Sequence, residues 1–186
     1  MPQWDDLSDW MKIQVMALTY DKEFLTFNIR IHPNLEDRWV AAAADPRAKM
    51  RDRVRSELDK AVGTGREFFF IIEGWSKDTN GPTYLHLHGG AAIRAAGDHV
   101  KVEAAVARAA GHGQRGFSAV PRAIHSAMFS THQAAYATYL LKAARRPDPR
   151  LPDRRMAVSN SMTQTARLFW ESISRPVSEW REPTSI

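Results

Sequence analysis

The stretch EFFFIIEGWSKDTNGPTYLHLHGGAAI, residues 67–93, predicts a β-hairpin around which the rest of the fold can be placed. Its first part, EFFFIIEGW, is a run of aromatic and β-branched residues, which is typical of a buried strand. The centre contains Asn-Gly-Pro and predicts a turn. YLHLHGGAAI then predicts the returning strand. Because side chains alternate along a strand, His86 and His88 share one face while Leu87 packs into the core on the other.

Strands and helices alternate on both sides of this hairpin. Upstream, FLTFNIRI (24–31) alternates apolar and polar residues and predicts a half-buried strand. Two helices are expected before the hairpin, and the second begins at Asp45, an N-cap followed by proline, and ends at Gly63. Four more elements are predicted downstream: a helix capped by Asp98, a strand over 123–129, a helix over 131–145 and a last helix over roughly 160–173.

The order strand-helix-strand-strand-helix-strand-helix predicts an α+β protein of the ferredoxin-like, split βαβ type. This topology has an antiparallel sheet with two crossover helices on one face, which leaves the other face open, and its first and third strands are central neighbours. MKIQVMALT (11–19) partly alternates and gives a candidate additional strand in front. The chain then divides into an N-terminal arm with that strand (1–23), a main domain (24–145) and a basic connector with a C-terminal helix packed on the main domain (146–186).

Composition limits the function classes. A net charge of +5, from 26 basic and 21 acidic residues, favours a polyanionic partner such as nucleic acid. The sequence contains no cysteine, which excludes disulfides and thiolate metal sites and fits a cytoplasmic location. No apolar run approaches the ~18 residues of a membrane span, and the acidic, aromatic N-terminus is unlike a signal peptide, so no membrane partner is expected.

The positive charge is concentrated in KAARRPDPRLPDRR (142–155), which carries six basic and two acidic residues. Its three prolines exclude a continuous helix, and we interpret it as an exposed basic connector. The alternative is an ordinary solvated loop.

His86 and His88 are the first candidates for a functional site. On one strand face their Cβ atoms would lie roughly 7 Å apart, so both imidazoles can converge on one metal ion. The alternative is two polar residues on an open sheet face. Glu73, near the end of the paired strand, adds a carboxylate across the hairpin. Two imidazoles and a carboxylate with open positions suit a divalent ion such as Mg²⁺ or Mn²⁺, which can polarise a phosphate oxygen.

Tyr136, Tyr139 and Lys142 are the second group of candidates, because a spacing of three residues places them in a loose stripe on the predicted helix 131–145. A tyrosine hydroxyl is a competent nucleophile toward an activated phosphodiester. A lysine one turn further on can neutralise a phosphate or a developing charge. The alternative is that both tyrosines only pack against the sheet.

Three stretches, in this order, resemble the motifs of the HUH endonucleases, specifically the rolling-circle replication initiator (Rep) proteins of plasmids, phages and single-stranded DNA viruses. FLTFN (24–28) is similar to their first motif, a strand of the type FLT-hydrophobic-T. HLH (86–88) is similar to the histidine–hydrophobic–histidine motif that names the superfamily. YLLK (139–142) is similar to their tyrosine-x-x-lysine motif on a helix. The resemblance spans 24–145, and the family fold is a split βαβ sheet, in agreement with the predicted order.

Two positions depart from the family pattern. Asn28 stands where threonine is more usual in the first motif. A second tyrosine, Tyr136, precedes Tyr139 by three residues and lacks the lysine that would complete a motif of its own. We therefore prefer Tyr139 as the nucleophile and keep Tyr136 as the second candidate.

The resemblance implies metal-dependent, site-specific nicking and joining of single-stranded DNA. Glu73, His86 and His88 would hold Mg²⁺ or Mn²⁺ against the scissile phosphate. Tyr139 would attack it, leaving a 5′-phosphotyrosine link and a free 3′-hydroxyl that primes rolling-circle replication. Lys142 would position the phosphate or stabilise the leaving oxygen.

The implied partner is single-stranded DNA from the origin of a mobile element, which would cross the open sheet face. Arg145, Arg146 and Arg150 of the basic connector, together with the arginine-rich segment 47–55, are the candidates for contacts with the DNA backbone. A separate helicase is expected to unwind the duplex.

Three alternatives stay open. A single-tyrosine transposase or relaxase of the same superfamily would share the chemistry, although FLTFN and YLLK argue against it. A non-catalytic DNA-binding protein could keep the fold, although the intact residues Glu73, His86, His88 and Tyr139 argue against lost activity. An unrelated ferredoxin-like domain with motifs that occur by chance is the third.

Overall fold

The computed structural model describes residues 2–20, 23–76, 81–115, 120, 123–129, 133–142 and 148–174. After a short 3-10 helix at Trp4–Asp6, the elements in chain order are α1 (Asp9–Tyr20), β1 (Phe24–Arg30), α2 (Pro33–Ala41), α3 (Pro46–Val62), β2 (Phe68–Ser76), β3 (Gly81–Ala92), α4 (Asp98–Ala109), β4 (Ile124–Met128), α5 (Gln133–Leu141), β5 (Met156–Val158) and α6 (Asn160–Ser174). Within those ranges, no helix combines the length and the apolar character needed to cross a membrane.

The protein is α+β, with one antiparallel five-stranded sheet in the order β4-β1-β3-β2-β5. The first and third strands are neighbours, as predicted, with Asn28 opposite His88 and Arg30 opposite His86. On the other side of β3, Glu73 of β2 lies opposite His86. Because directly opposed residues of an antiparallel pair share a face, all of these side chains lie on the same side of the sheet.

Helices cover both faces of this sheet, so the predicted open face is wrong. On the face that carries Leu25, Phe27 and Ile29, α2, α3 and α4 complete one core. On the face that carries the histidines, α1, α5 and α6 pack over Phe24 and Phe69 and complete a second core. Burying a large apolar side chain contributes roughly 1.5–3 kcal/mol, which is what holds this second layer of helices against the strands.

The second face is exposed along the edge strand β4. His125 and Ala127 of β4 lie opposite Asn28 and Thr26, hence on the histidine face, and both are exposed. The uncovered strip therefore borders the polar side chains of β1, beside the histidine pair.

The termini of α3 follow the predicted signals. The Asp45 carboxylate accepts hydrogen bonds from the N–H groups of Arg47 and Ala48, Pro46 is the first helical residue, and Gly63 ends the helix at φ 89°. Asp98, predicted as a cap, is instead the first residue of α4 and forms an ion pair with Arg66 at 3.1 Å.

Segment 11–19, predicted as an additional strand, belongs to α1. Three of its four buried residues, Ile13, Met16 and Ala17, are spaced by three and four positions, which is the spacing of one helix face. The same residues show both a partial strand alternation and a helical spacing, and the helical spacing determines the structure.

The basic connector is followed by an element that was not predicted. Residues 156–158 form the edge strand β5, which pairs with β2 through Met156 opposite Ile71 and Val158 opposite Phe69. Arg155, just before it, is buried. A three-residue strand after a proline-rich segment has too short a pattern to be recognised, and its position depends on pairing with a distant strand.

Candidate active site

Glu73 and His88 form the buried centre of the candidate site. They lie on adjacent strands, and the Glu73 Oε1 is 2.7 Å from the His88 Nε2, with each side chain only 8% exposed. This distance is that of a hydrogen bond between carboxylate and imidazole, which fixes the orientation of the His88 ring. The other ring nitrogen, Nδ1, is buried and has no hydrogen-bond partner among the described residues.

His86 lies beside this pair and completes the predicted set of three. Its ring centroid is 6.3 Å from that of His88, with an angle of 22° between the ring planes. Burial, reinforced by the neighbouring His88, lowers the pKa of His86 below its ordinary value. The neutral imidazole is therefore favoured, which is the form that binds metal ions.

Tyr139 extends from α5 over the histidines. Its ring contacts His88 edge to face, with centroids 5.6 Å apart, and is 44% exposed. Burial, with the charge of Glu73, raises the pKa of Tyr139 above its ordinary value, so the hydroxyl is protonated at neutral pH. The Lys142 Nζ lies 3.9 Å from the centroid of the Tyr139 ring, which places a cation at the nucleophile candidate.

Tyr136, the second tyrosine candidate, has a structural position. It is 8% exposed, its hydroxyl donates a hydrogen bond of 2.8 Å to the Gly89 carbonyl, and its ring packs against Phe69 and Phe129. Burial raises the pKa of Tyr136 far above its ordinary value. Its oxygen is enclosed and already hydrogen-bonded, which argues against Tyr136 as the nucleophile and favours Tyr139.

The three candidate ligands fit a divalent ion by donor type and by shared face, but not by their present side-chain positions. Among the described residues, no group of three His, Cys, Asp or Glu side chains is placed to hold a metal ion. Instead, Glu73 and His88 bind each other. The strand pairing places Glu73 opposite His86, so the three donors share one face of the sheet at neighbouring positions.

Arg30 and Asn28 were not predicted as site residues. The strand pairing nevertheless places Arg30 directly opposite His86 and Asn28 directly opposite His88. The Arg30 guanidinium stacks on Tyr84, 3.5 Å from the ring centroid. Its Nε is buried without a hydrogen-bond partner in the described part of the chain. The alternation of FLTFNIRI, combined with the predicted pairing of the first and third strands, contained the signal for both residues.

The predicted DNA-binding arginines of the connector have different outcomes. Arg145 and Arg146 lie outside the described residues. Arg150 is 21% exposed and forms ion pairs with Glu36 at 2.5 Å and with Asp148 at 2.6 Å. Its charge is already matched by two buried carboxylates, which argues against the predicted contact of Arg150 with DNA.

No family model, curated protein or solved structure matches this chain.

Proposed function

We propose that this protein is a metal-dependent enzyme of the HUH endonuclease type that nicks and joins single-stranded DNA and initiates rolling-circle replication. The observation that carries the proposal is the meeting of three candidate residues: Tyr139 of YLLK lies against His88 of HLH, which is hydrogen-bonded to Glu73. These residues come from three separate elements, β2, β3 and α5, and their convergence supports the proposal.

The topology supports the same proposal. The strand order β4-β1-β3-β2, with helices between β1 and β2 and between β3 and β4, is the order of a split βαβ sheet. HLH is on a central strand, and YLLK begins on a helix that packs on the histidine face.

In the proposed reaction, Glu73, His86 and His88 would hold Mg²⁺ or Mn²⁺, which when bound supplies polarisation of the scissile phosphate. The Tyr139 oxygen forms a bond to phosphorus as the bond from phosphorus to the 3′-oxygen breaks. The tyrosine proton is lost and the 3′-oxygen takes one up. One phosphodiester replaces another, so no nucleoside triphosphate is consumed, and reversal rejoins the strand.

For Tyr139 to act as a nucleophile, the site has to stabilise its deprotonated form. Because Tyr139 is protonated at neutral pH, its nucleophilic form has to be stabilised as it appears. The Lys142 ammonium is next to the ring and offers a positive charge for the phenolate or for the phosphate. The uncovered strip along β1 and β4 gives a DNA strand access to this point.

A second candidate function is favoured by one observation, the direct hydrogen bond between Glu73 and His88. In a non-catalytic DNA-binding protein on the same fold, this pair would be permanent and no metal ion would enter. A transposase or relaxase of the same superfamily would use the same residues and differ only in its DNA target.

The test is a denaturing gel of the purified protein with a labelled single-stranded DNA pool and Mn²⁺. We expect an SDS-resistant protein–DNA adduct that requires Mn²⁺ and is lost in Tyr139→Phe and His86→Ala. Tyr136→Phe is the matched control, because it removes a hydroxyl from the same helix, and it should retain the adduct. Tight DNA binding without any adduct would support the non-catalytic candidate, and an adduct that persists in Tyr139→Phe would refute the assigned nucleophile.

A further inference from the structure

The regular pairing of β2 with β3 ends at the candidate site. Glu73 and His86 are the last pair in the continuous register, which then shifts before the two strands pair again. Gly74 and Leu85 are the next residues on each strand, and because side chains alternate they face the side opposite the site. The spacing of Glu73 and His86 therefore depends on what holds the backbone at an irregular point of the ladder.

An ion pair from two other segments holds that backbone. The Leu85 amide donates a hydrogen bond of 3.0 Å to the Glu36 Oε2. The other oxygen of Glu36, Oε1, is 2.5 Å from the Arg150 Nη1, and the Arg150 Nη2 donates to the Gly74 carbonyl at 3.1 Å. A continuous chain of hydrogen bonds thus runs from the neighbour of His86 to the neighbour of Glu73.

The side chains of this network pack closely against one another and against Gly74. Asp148 holds the Arg150 guanidinium through both oxygens, at 2.9 Å and 2.6 Å, so that the fork is fixed on the side away from Glu36. A Cβ on Gly74 would collide with the Arg150 Nη2 and the Asp148 Oδ2. A side chain at position 74 would therefore displace the ion-pair network, which occupies that space.

We propose that Glu36 and Arg150 act as positioning residues, a clamp on the far side of the sheet that fixes Gly74 and Leu85 and thereby the relative placement of Glu73 and His86. Neither residue touches the candidate site. The consequence for DNA nicking rests on the proposed function, whereas the consequence for strand geometry does not.

The variants are Arg150→Met, Arg150→Lys and Glu36→Gln, with Arg94→Met as the matched control. Arg94 forms the corresponding ion pair with Glu67, at 2.5 Å, at the opposite end of β2 and β3. The probe is Mn²⁺ alone, with its affinity measured from water proton relaxation. Nicking kcat and KM are measured separately, and cross-strand NOEs report the distance between Glu73 and His86.

We expect Arg150→Met and Glu36→Gln to weaken Mn²⁺ binding on the order of 10-fold, as loss of outer supporting groups does at metal sites, and to lower kcat with little change in the KM for DNA. Arg150→Lys should be intermediate, because a single ammonium does not span Glu36 and Gly74 together. Arg94→Met should change none of these quantities more than about twofold, whatever stability it loses.

The outcomes separate the clamp from the proposed function. Variants that lose thermal stability but keep wild-type Mn²⁺ affinity, kcat and NOEs overturn the clamp. If Arg150→Met does not fold, Glu36→Gln decides, since it keeps an acceptor for Leu85 and loses the ion pair. If the wild type neither binds Mn²⁺ nor nicks DNA, the proposed function fails, and altered Glu73–His86 NOEs in Glu36→Gln but not in Arg94→Met still support the clamp.

Discussion

Replacing Tyr136 by phenylalanine separates the structural tyrosine from the proposed nucleophile. The change removes only the hydroxyl, which donates to the Gly89 carbonyl at 2.8 Å, and leaves the ring packed against Phe69 and Phe129. A buried hydrogen bond of this type contributes about 1 kcal/mol net to the free energy of unfolding. For a protein of this size, that loss lowers the Tm by roughly 2–4 °C.

The pH dependence of the same variant gives a second, independent measure. Burial raises the pKa of Tyr136 in the folded protein, so above the ordinary tyrosine value of 10.0 the unfolded chain loses a proton that the folded chain retains. The stabilisation is therefore complete below pH ~10 and falls as the pH rises further. Tyr136→Phe should remove this part of the alkaline loss. Tyr20, whose pKa burial raises to about 12, contributes equally in both proteins.

The assay is urea unfolding of wild type and Tyr136→Phe at pH 7 and at pH 10.5–11, followed by circular dichroism. A loss above ~3 kcal/mol at pH 7 would mean that the variant disturbs packing beyond one hydrogen bond. Parallel alkaline losses in the two proteins would contradict the burial argument. The DNA adduct should survive in Tyr136→Phe, and its disappearance there would return Tyr136 to the catalytic candidates.

Three further predictions test other parts of the structure. Burial raises the pKa of the Asp148 carboxyl, but hydrogen bonds and charge from the Arg150 guanidinium lower it more, so that the net pKa lies below its ordinary value. The stabilisation by the ionised carboxylate is therefore complete above pH ~4 and is lost as the pH falls through the lowered pKa. Urea unfolding between pH 6 and 3 should show a smaller loss of stability at acid pH in Asp148→Asn than in wild type. Gly90→Ala would place a Cβ against the Phe24 ring and the Leu25 carbonyl and should cost about 1–3 kcal/mol in a chemical denaturation experiment, where wild-type stability would contradict this. Arg66→Met leaves Asp98 buried without its ion-pair partner and should cost about 3–5 kcal/mol, and a thermal melt that matches wild type would contradict this.

Which side chains share the histidine face could be predicted from the sequence, because the alternation of side chains along a strand is a local pattern. The alternation in FLTFNIRI and HLH assigns each residue to a face, and one topological rule places those two strands side by side. The position of Glu73 opposite His86 follows from the hairpin once its register is known, and the turn residues that set this register are only partly informative.

The remaining assignments depended on distant residues. Tyr136 and Tyr139 are three positions apart on one helix, and only the seating of α5 above Gly89 decides which hydroxyl is enclosed. Arg150 lies among prolines and basic residues, a context typical of an exposed loop. Its carboxylate partner Glu36 lies 114 positions away, so no local pattern could indicate the ion pair.

Successive residues of β3 face opposite sides of the sheet, and this has a consequence for which positions tolerate substitution. Leu85 and Leu87 are fully buried in the core formed with α2, α3 and α4, whereas His86 and His88 face the site. Substitutions at the two histidine positions therefore change side chains of the candidate site, while the leucine positions keep their contacts in the core. A library that randomises 86 and 88, with 85 and 87 kept constant, would sample new ligand sets on an intact scaffold.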